Sequence, residues 1–210
     1  MRVKICGLMR MLDITAALDY GADAVGLVVG TPTAQRNLPL AKARKLMKSI
    51  PPFATKVAVT TTSNLKLLNK ICTLNPNALQ LHTYNARTIR TLRERRPELK
   101  IILATPIRDH ESLSEAEQNT KYSDAILADS PSHTAIGGTG KSHDWKLTAE
   151  LRRRIHPHPL ILAGGLTVSN VRSAVETVRP YAVDVSTGVE ERVGVKDHRK
   201  MKEFVTNAER

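Results

Sequence analysis

Aromatic side chains are scarce in this chain: two Phe, four Tyr and one Trp make up 3% of its 210 residues. That scarcity removes the stacked rings on which single-stranded nucleic acid is held, and argues against nucleic-acid binding as the main function. Cysteine is scarcer still. Cys6 and Cys72 stand far apart, so neither a disulfide framework nor a cysteine metal site is indicated. No apolar run approaches the ~20 residues of a membrane-spanning helix. Met1-Arg2-Val3-Lys4 leads directly into a strand pattern without the profile of a secretory leader. These absences point to a reduced, cytoplasmic chain with no membrane partner.

Acidic residues are in deficit, 20 against 32 Lys and Arg, for a formal net charge of +12. Such a surface attracts phosphorylated ligands. Arg87, Arg90, Arg93, Arg95 and Arg96 fall in or directly after one predicted helix, so part of the charge also reads as a solvated face.

What is present is alternation. Short runs of Val, Ile, Leu and Ala predict strands over 3–6, 24–29, 56–59, 78–81, 101–104, 125–128, 160–163 and 182–185. Helical patterns over 12–20, 40–49, 65–74, 86–95, 111–119, 145–154, 168–178 and 198–208 separate them. Strict alternation implies parallel strands joined by right-handed crossovers. Eight units in 210 residues favour a single-domain (β/α)8 TIM barrel over residues 1–210, near the lower size limit for that fold. An open doubly wound sheet would also place its ligand at the carboxyl ends of the strands.

Chemistry in such a barrel belongs at those carboxyl ends. The tips and following loops supply Cys6, Arg36, His82, Asp129, Gly164-Gly165 and Ser186-Thr187-Gly188. Glycine lets backbone N–H groups approach an anion, and barrel phosphate sites commonly use the loops after strands seven and eight. The segment Gly137-Gly138-Thr139-Gly140-Lys141 after strand six adds Gly138 and Gly140, although its spacing is not that of a Walker motif. Lys141 serves either a phosphate or the loop. Taken singly, each glycine reads equally well as a tight turn, Cys6 as a small core residue, Asp129 as a cap before Ser130-Pro131, and Arg36 as a solvated loop residue.

Several segments in order carry a resemblance: Lys4-Ile5-Cys6-Gly7, Gly21-Ala22-Asp23-Ala24-Val25-Gly26, Leu79-Gln80-Leu81-His82, Gly137 to Lys141 with Asp144-Trp145, Ala163 to Thr167, and Val183-Asp184-Val185-Ser186-Thr187-Gly188-Val189-Glu190. Together they resemble phosphoribosylanthranilate isomerase of tryptophan biosynthesis, over nearly the whole chain. The resemblance implies an Amadori rearrangement of N-(5′-phosphoribosyl)anthranilate that needs no metal or organic cofactor. It implies Cys6 as general base, Asp129 as general acid, and Arg36 against the anthranilate carboxylate. A free thiol titrates near ~8.5, so adjacent positive charge would bring its thiolate within reach. Asp129 as an acid requires burial or negative neighbours to hold its proton near neutral pH. His82 either lines the pocket or holds a loop by a hydrogen bond; Cys72 reads as packing.

The chain departs from the family pattern at four places. Leu27-Val28-Val29-Gly30 and Val59-Thr60-Thr61-Thr62 stand where aromatics are common at strands two and three. His82-Thr83-Tyr84 lacks the usual glycine after the histidine, and Met9 replaces a small hydroxyl residue before the first helix. The related isomerase of histidine biosynthesis would need aspartates at strands one and five, where this chain has Cys6 and Thr105. A non-catalytic phosphate- or nucleic-acid-binding barrel is the other class. The expected partner is a small phosphorylated substrate, and the chain is expected to be a monomer or a homodimer.

Overall fold

The computed structural model describes residues 1–130 and 144–209. Eight parallel strands close into a barrel: β1 Arg2–Ile5, β2 Ala24–Val28, β3 Thr55–Thr60, β4 Ala78–Leu81, β5 Lys100–Pro106, β6 Ala125–Asp129, β7 Leu160–Leu162 and β8 Ala182–Val185. The outer ring is α1 Met11–Asp19, α2 Leu40–Ser49, α3 Leu65–Cys72, α4 Ala86–Arg95, α5 His110–Asn119, α6 Trp145–Arg154, α7 Val171–Val178 and α8 His198–Glu209. Closure runs through β1 and β8, with Lys4 opposite Asp184 and Ile5 opposite Val185.

The strand pleat sorts side chains into two layers. In β1, β4 and β8, Val3, Ile5, Leu79, Leu81, Val183 and Val185 face the helices, in the core that also buries Leu68, Ile71, Ile89 and Phe204. Inward positions carry smaller residues, including Ala78, Ala104, Ala125, Ala163 and Ala182 beside Val57, Val59 and Leu127. The same inward rows carry Lys4, Gln80 and Asp184, all nearly inaccessible to solvent. A Lys or Asp inside a run of aliphatics is therefore a lumen residue, and it must be paired. Lys4 and Asp184 pair with each other at 2.9 Å.

The amino-terminal rim is built by repetition. Asp23, Asn77 and Asp124 each stand just before an alanine that opens an even-numbered strand. Their side chains accept from the backbone N–H of Val3, Lys56 and Ile101 on the preceding strand at 2.8, 2.9 and 2.8 Å. Their own N–H groups donate back to the same residues' carbonyls. Each reciprocal pair satisfies a strand-end donor that would otherwise face water.

Three features differ from the sequence expectation. Helix α7 begins at Val171 and not at 168, because the Asn170 side chain accepts from Thr167 N and donates to Gly165 O, turning that stretch into a loop. Strand β5 extends to Pro106, where it pairs with Asp129. A short antiparallel hairpin, β9 Glu190–Arg192 and β10 Val195–Lys196, follows β8 and was not expected. In α1, Arg10 at the N-cap makes no side-chain cap bond; its guanidinium instead grips Asp13 in the first turn at 2.8 and 2.6 Å.

Candidate active site

A pocket of about 280 Å³ opens at the carboxyl ends of the strands. It is bordered by Cys6, Arg36, His82, Asp129, Gly164, Gly165, Ser186, Thr187 and Gly188, so nine of the eleven expected site residues meet in one place. Gly138 and Gly140 lie outside the described residues, as does Lys141.

Cys6 sits one residue beyond β1, its N–H donating to Val185 O at 2.8 Å. Lys4 is the next inward residue below it. Gly26 on neighbouring β2 leaves room for both: a Cβ there would fall 2.9 Å from Cys6 Sγ and 3.1 Å from Lys4 Nζ. Burial pushes the thiol above its ordinary value; the charges of Lys4 and Lys196 pull it down and Asp184 adds to the rise. The expected positive charge is thus present, but burial outweighs it, and without substrate Cys6 is a thiol. Lys4 remains an ammonium: burial opposes its charge, Asp184 favours it most, and an ionised Cys6 would add to that.

Asp129 closes β6. Burial holds its carboxyl up at about 6, with Asp184 reinforcing the shift while the Ser130 N–H and Lys4 oppose it. Near neutral pH it therefore holds its proton far more readily than an ordinary carboxylate. Gly164 is what allows the β7 tip to close beside it. Its φ is +78°, and a Cβ would lie 2.3 Å from Ser130 N and 2.8 Å from Asp129 Oδ1. Gly188 plays the matching part between the β7 and β8 loops, since a Cβ there would fall 2.0 Å from Leu166 O.

His82 borders the pocket with Nε2 3.0 Å from Gln80 Nε2, so its partner is a lumen residue of its own strand. Burial, helped by the Lys4 charge, lowers its pKa to about 4, and the imidazole is neutral. Val28, Ala34 and Val59 line the pocket on the β2–β3 side, so the departures noted at those tips give it an aliphatic wall.

Arg36 is not a solvated loop residue. Only 8% exposed, it meets Glu190 in a bidentate pair, Nε to Oε1 at 2.8 Å and Nη2 to Oε2 at 2.6 Å. Lys196 Nζ reaches the same Oε1 at 3.0 Å and Ser186 O at 2.9 Å.

Sequence reasoning passed over Lys4, Gln80, Asp184, Glu190 and Lys196 as site residues. For the first three the signal was legible as a polar residue flanked by aliphatics within a strand. Glu190 was visible only as the end of a motif, and Lys196 gave no local sign. Among the described residues, no group of three or more His, Cys, Asp or Glu side chains is arranged to hold a metal ion.

A family model described as N-(5′-phosphoribosyl)anthranilate (PRA) isomerase matches residues 3–207. The N-(5′-phosphoribosyl)anthranilate isomerase of Halorubrum lacusprofundi is 41% identical over 215 aligned residues, covering 100% of this chain and 97% of its own. A crystal structure of phosphoribosyl anthranilate isomerase in complex with reduced 1-(o-carboxyphenylamino)-1-deoxyribulose 5-phosphate is similar with a TM-score of 0.86 at 34% identity, covering 99% of this chain and 98% of that one. The Thermotoga maritima isomerase, solved as monomers generated from a dimeric protein, gives a TM-score of 0.85 at 32% identity, with 99% of this chain and 98% of that one covered.

Proposed function

The chain belongs to the N-(5′-phosphoribosyl)anthranilate isomerase family, and from that premise we propose how its residues divide the reaction. The enzyme converts N-(5′-phosphoribosyl)anthranilate to 1-(2-carboxyphenylamino)-1-deoxyribulose 5-phosphate in tryptophan biosynthesis. In our reading Asp129 is the general acid, Cys6 the general base, and Arg36 the receptor for the anthranilate carboxylate. The loops carrying Gly164-Gly165 and Ser186-Thr187-Gly188 hold the phosphate, with Gly138 and Gly140 assigned there on sequence alone. His82, as a neutral imidazole, lines the sugar side.

The observation that carries this assignment is that a carboxyl held at about 6 and a thiol beside an ammonium border the same pocket. Asp129 gives its proton to the ribose ring oxygen as the C1′–O bond breaks and the nitrogen lone pair forms the C1′=N⁺ iminium. That cation acidifies the C2′ proton and favours the Cys6 thiolate, so ring opening prepares the base for its own step. The thiolate removes the C2′ proton, the freed electrons form C1′=C2′ and neutralise the iminium, and the enolamine tautomerises to the ketone. Solvent takes the Cys6 proton when the thiolate forms and reprotonates Asp129 after turnover; in the tautomerisation C1′ gains one proton and the 2′-hydroxyl loses one, so protons and electrons balance.

Lys4 supplies the positive charge nearest the thiol, and Asp184 keeps it charged. The guanidinium fork of Arg36 suits a carboxylate in a way an ammonium would not.

We also propose a cytoplasmic location and either a monomer or a homodimer. No described helix is long and apolar enough to cross a membrane. For self-association the candidate face is the amino-terminal mouth, where Phe53 is wholly exposed beside a cavity.

The test follows the loss of substrate fluorescence in the presence of a chelator, with the parent protein beside Cys6→Ser and Asp129→Asn. Turnover in the parent that collapses in both variants supports the assignment. Turnover that survives in either variant removes that residue from its role.

A further inference from the structure

Glu190 ends the motif that begins at Val183, yet neither proton transfer nor phosphate binding uses it. It sits on the unexpected hairpin β9–β10, 154 positions away from Arg36. Both of its carboxylate oxygens are engaged. Oε1 accepts from Arg36 Nε at 2.8 Å, Lys196 Nζ at 3.0 Å and Gly194 N at 3.3 Å; Oε2 accepts from Arg36 Nη2 at 2.6 Å. The hairpin itself is pinned. Lys200 Nζ donates to Glu190 O at 3.0 Å, and Lys196 N donates to Asp13 Oδ2 at 3.4 Å. Through Lys196 the same cluster holds Ser186 O at 2.9 Å, on the loop after β8.

A guanidinium has five N–H donors in a rigid fork. Glu190 takes two of them, on the Nε–Nη2 edge, and the other three remain on a side chain that borders the pocket. An arginine this buried without a partner would relax away from its working position or carry a large desolvation cost. Held from behind, it is already oriented when a ligand arrives, and less freedom is lost on binding.

We propose that Glu190 is a positioning residue for carboxylate recognition: it locks Arg36 so that the remaining donors face the aryl carboxylate of the substrate, and the β9–β10 hairpin exists in this barrel to carry that lock. The inference rests on the reading of Arg36 given above and extends it to a residue that need not touch the substrate. Lys196 completes the arrangement by tying the lock to the phosphate-side loop, which sets the distance between the two ends of the ligand.

The test is a two-by-two comparison of binding by calorimetry. The ligands are the reduced product analogue, 1-(o-carboxyphenylamino)-1-deoxyribulose 5-phosphate in reduced form, and its phenylamino counterpart without the carboxylate. The proteins are the parent chain and Glu190→Gln. The parent should prefer the carboxylated ligand by roughly tenfold or more, the scale of a charge-assisted hydrogen bond. In Glu190→Gln that preference should shrink to about threefold or less, while affinity for the carboxylate-free ligand stays as in the parent. A preference that survives the substitution overturns the inference, and so does an equal loss for both ligands, which would mark Glu190 as merely structural. A parent with no preference would instead remove the Arg36 reading itself. If Glu190→Gln does not fold, Glu190→Asp, which keeps the charge but shortens the arm, must show the same selective loss; an unchanged preference there overturns the inference equally.

Discussion

The barrel has a cavity at each mouth, and the larger is not the one to which we assign the chemistry. The amino-terminal cavity holds about 530 Å³ against about 280 Å³ at the carboxyl end. At the amino-terminal mouth the polar groups are occupied by the fold itself. Asp23, Asn77 and Asp124 each bind a strand-end N–H, Arg93 and Lys100 pair with Asp124, and Arg2 stacks over the Tyr181 ring at 4.4 Å. At the other mouth burial has shifted a thiol, a carboxyl and an imidazole away from their ordinary proton affinities. Perturbed groups that converge from different strands, and not volume, distinguish a site from a space. Between the two lies the Lys4–Asp184 pair, with Lys4 bordering the amino-terminal cavity and Asp184 the carboxyl-terminal pocket.

The contrast can be broken by substitutions that trade activity against stability. The largest effect belongs to Cys6→Ser. A hydroxyl is a far weaker acid than a thiol, so turnover should fall by about 10³-fold or more with an unchanged melting curve; assays and thermal melts on the same sample check this. Asp129→Asn keeps the shape and removes the proton, and should cost about 10²–10³-fold in turnover by the same assay. Lys4→Met strikes the partition and leaves Asp184 as a buried charge without its partner. Denaturant titration should read a loss of ~3–5 kcal/mol. At the amino-terminal rim, Asn77→Ala should cost only ~1 kcal/mol of stability and leave turnover as it was. Smallest of all, Phe53→Ser should alter no kinetic constant, and light scattering would register it only if this mouth joins two copies. A rim variant that lost activity without losing stability would end the division of labour argued here.

Much of this was legible beforehand because the physics is local. The aliphatic runs at 24–29 and 182–185 read as doubly buried strands, and β2 Ala24–Val28 and β8 Ala182–Val185 fall within them. The tips Cys6, Asp129 and Ser186 could be placed on one face once parallel closure was granted. What escaped depends on distant partners. Nothing near Glu190 announces Arg36, and nothing near Lys196 announces Ser186; those contacts exist only after the barrel has closed. The start of α7 was missed because the side chain of Asn170 turns the preceding residues into a loop. The ionisation of Cys6 stayed open because sequence reveals a nearby charge more readily than the burial that opposes it.

The central claim is that Asp129 donates and Cys6 accepts although their proton affinities are inverted. The acid is held at about 6, and burial keeps the thiol above its ordinary value. A pair of this kind gives a bell-shaped profile whose acidic limb belongs to the acid and whose alkaline limb belongs to the base. Below about 6, Asp129 is already protonated and further acid only depletes the thiolate; at high pH the thiolate is abundant and Asp129 has lost its proton. The decisive measurement is the pH profile of kcat/KM for the parent and for Asp129→Asn. The account predicts a limb near pH 6 in the parent that disappears in the variant, whose residual activity climbs with pH until Cys6 has ionised. An acidic limb of the same position and depth in Asp129→Asn would contradict it and assign that titration to another group, the substrate phosphate first.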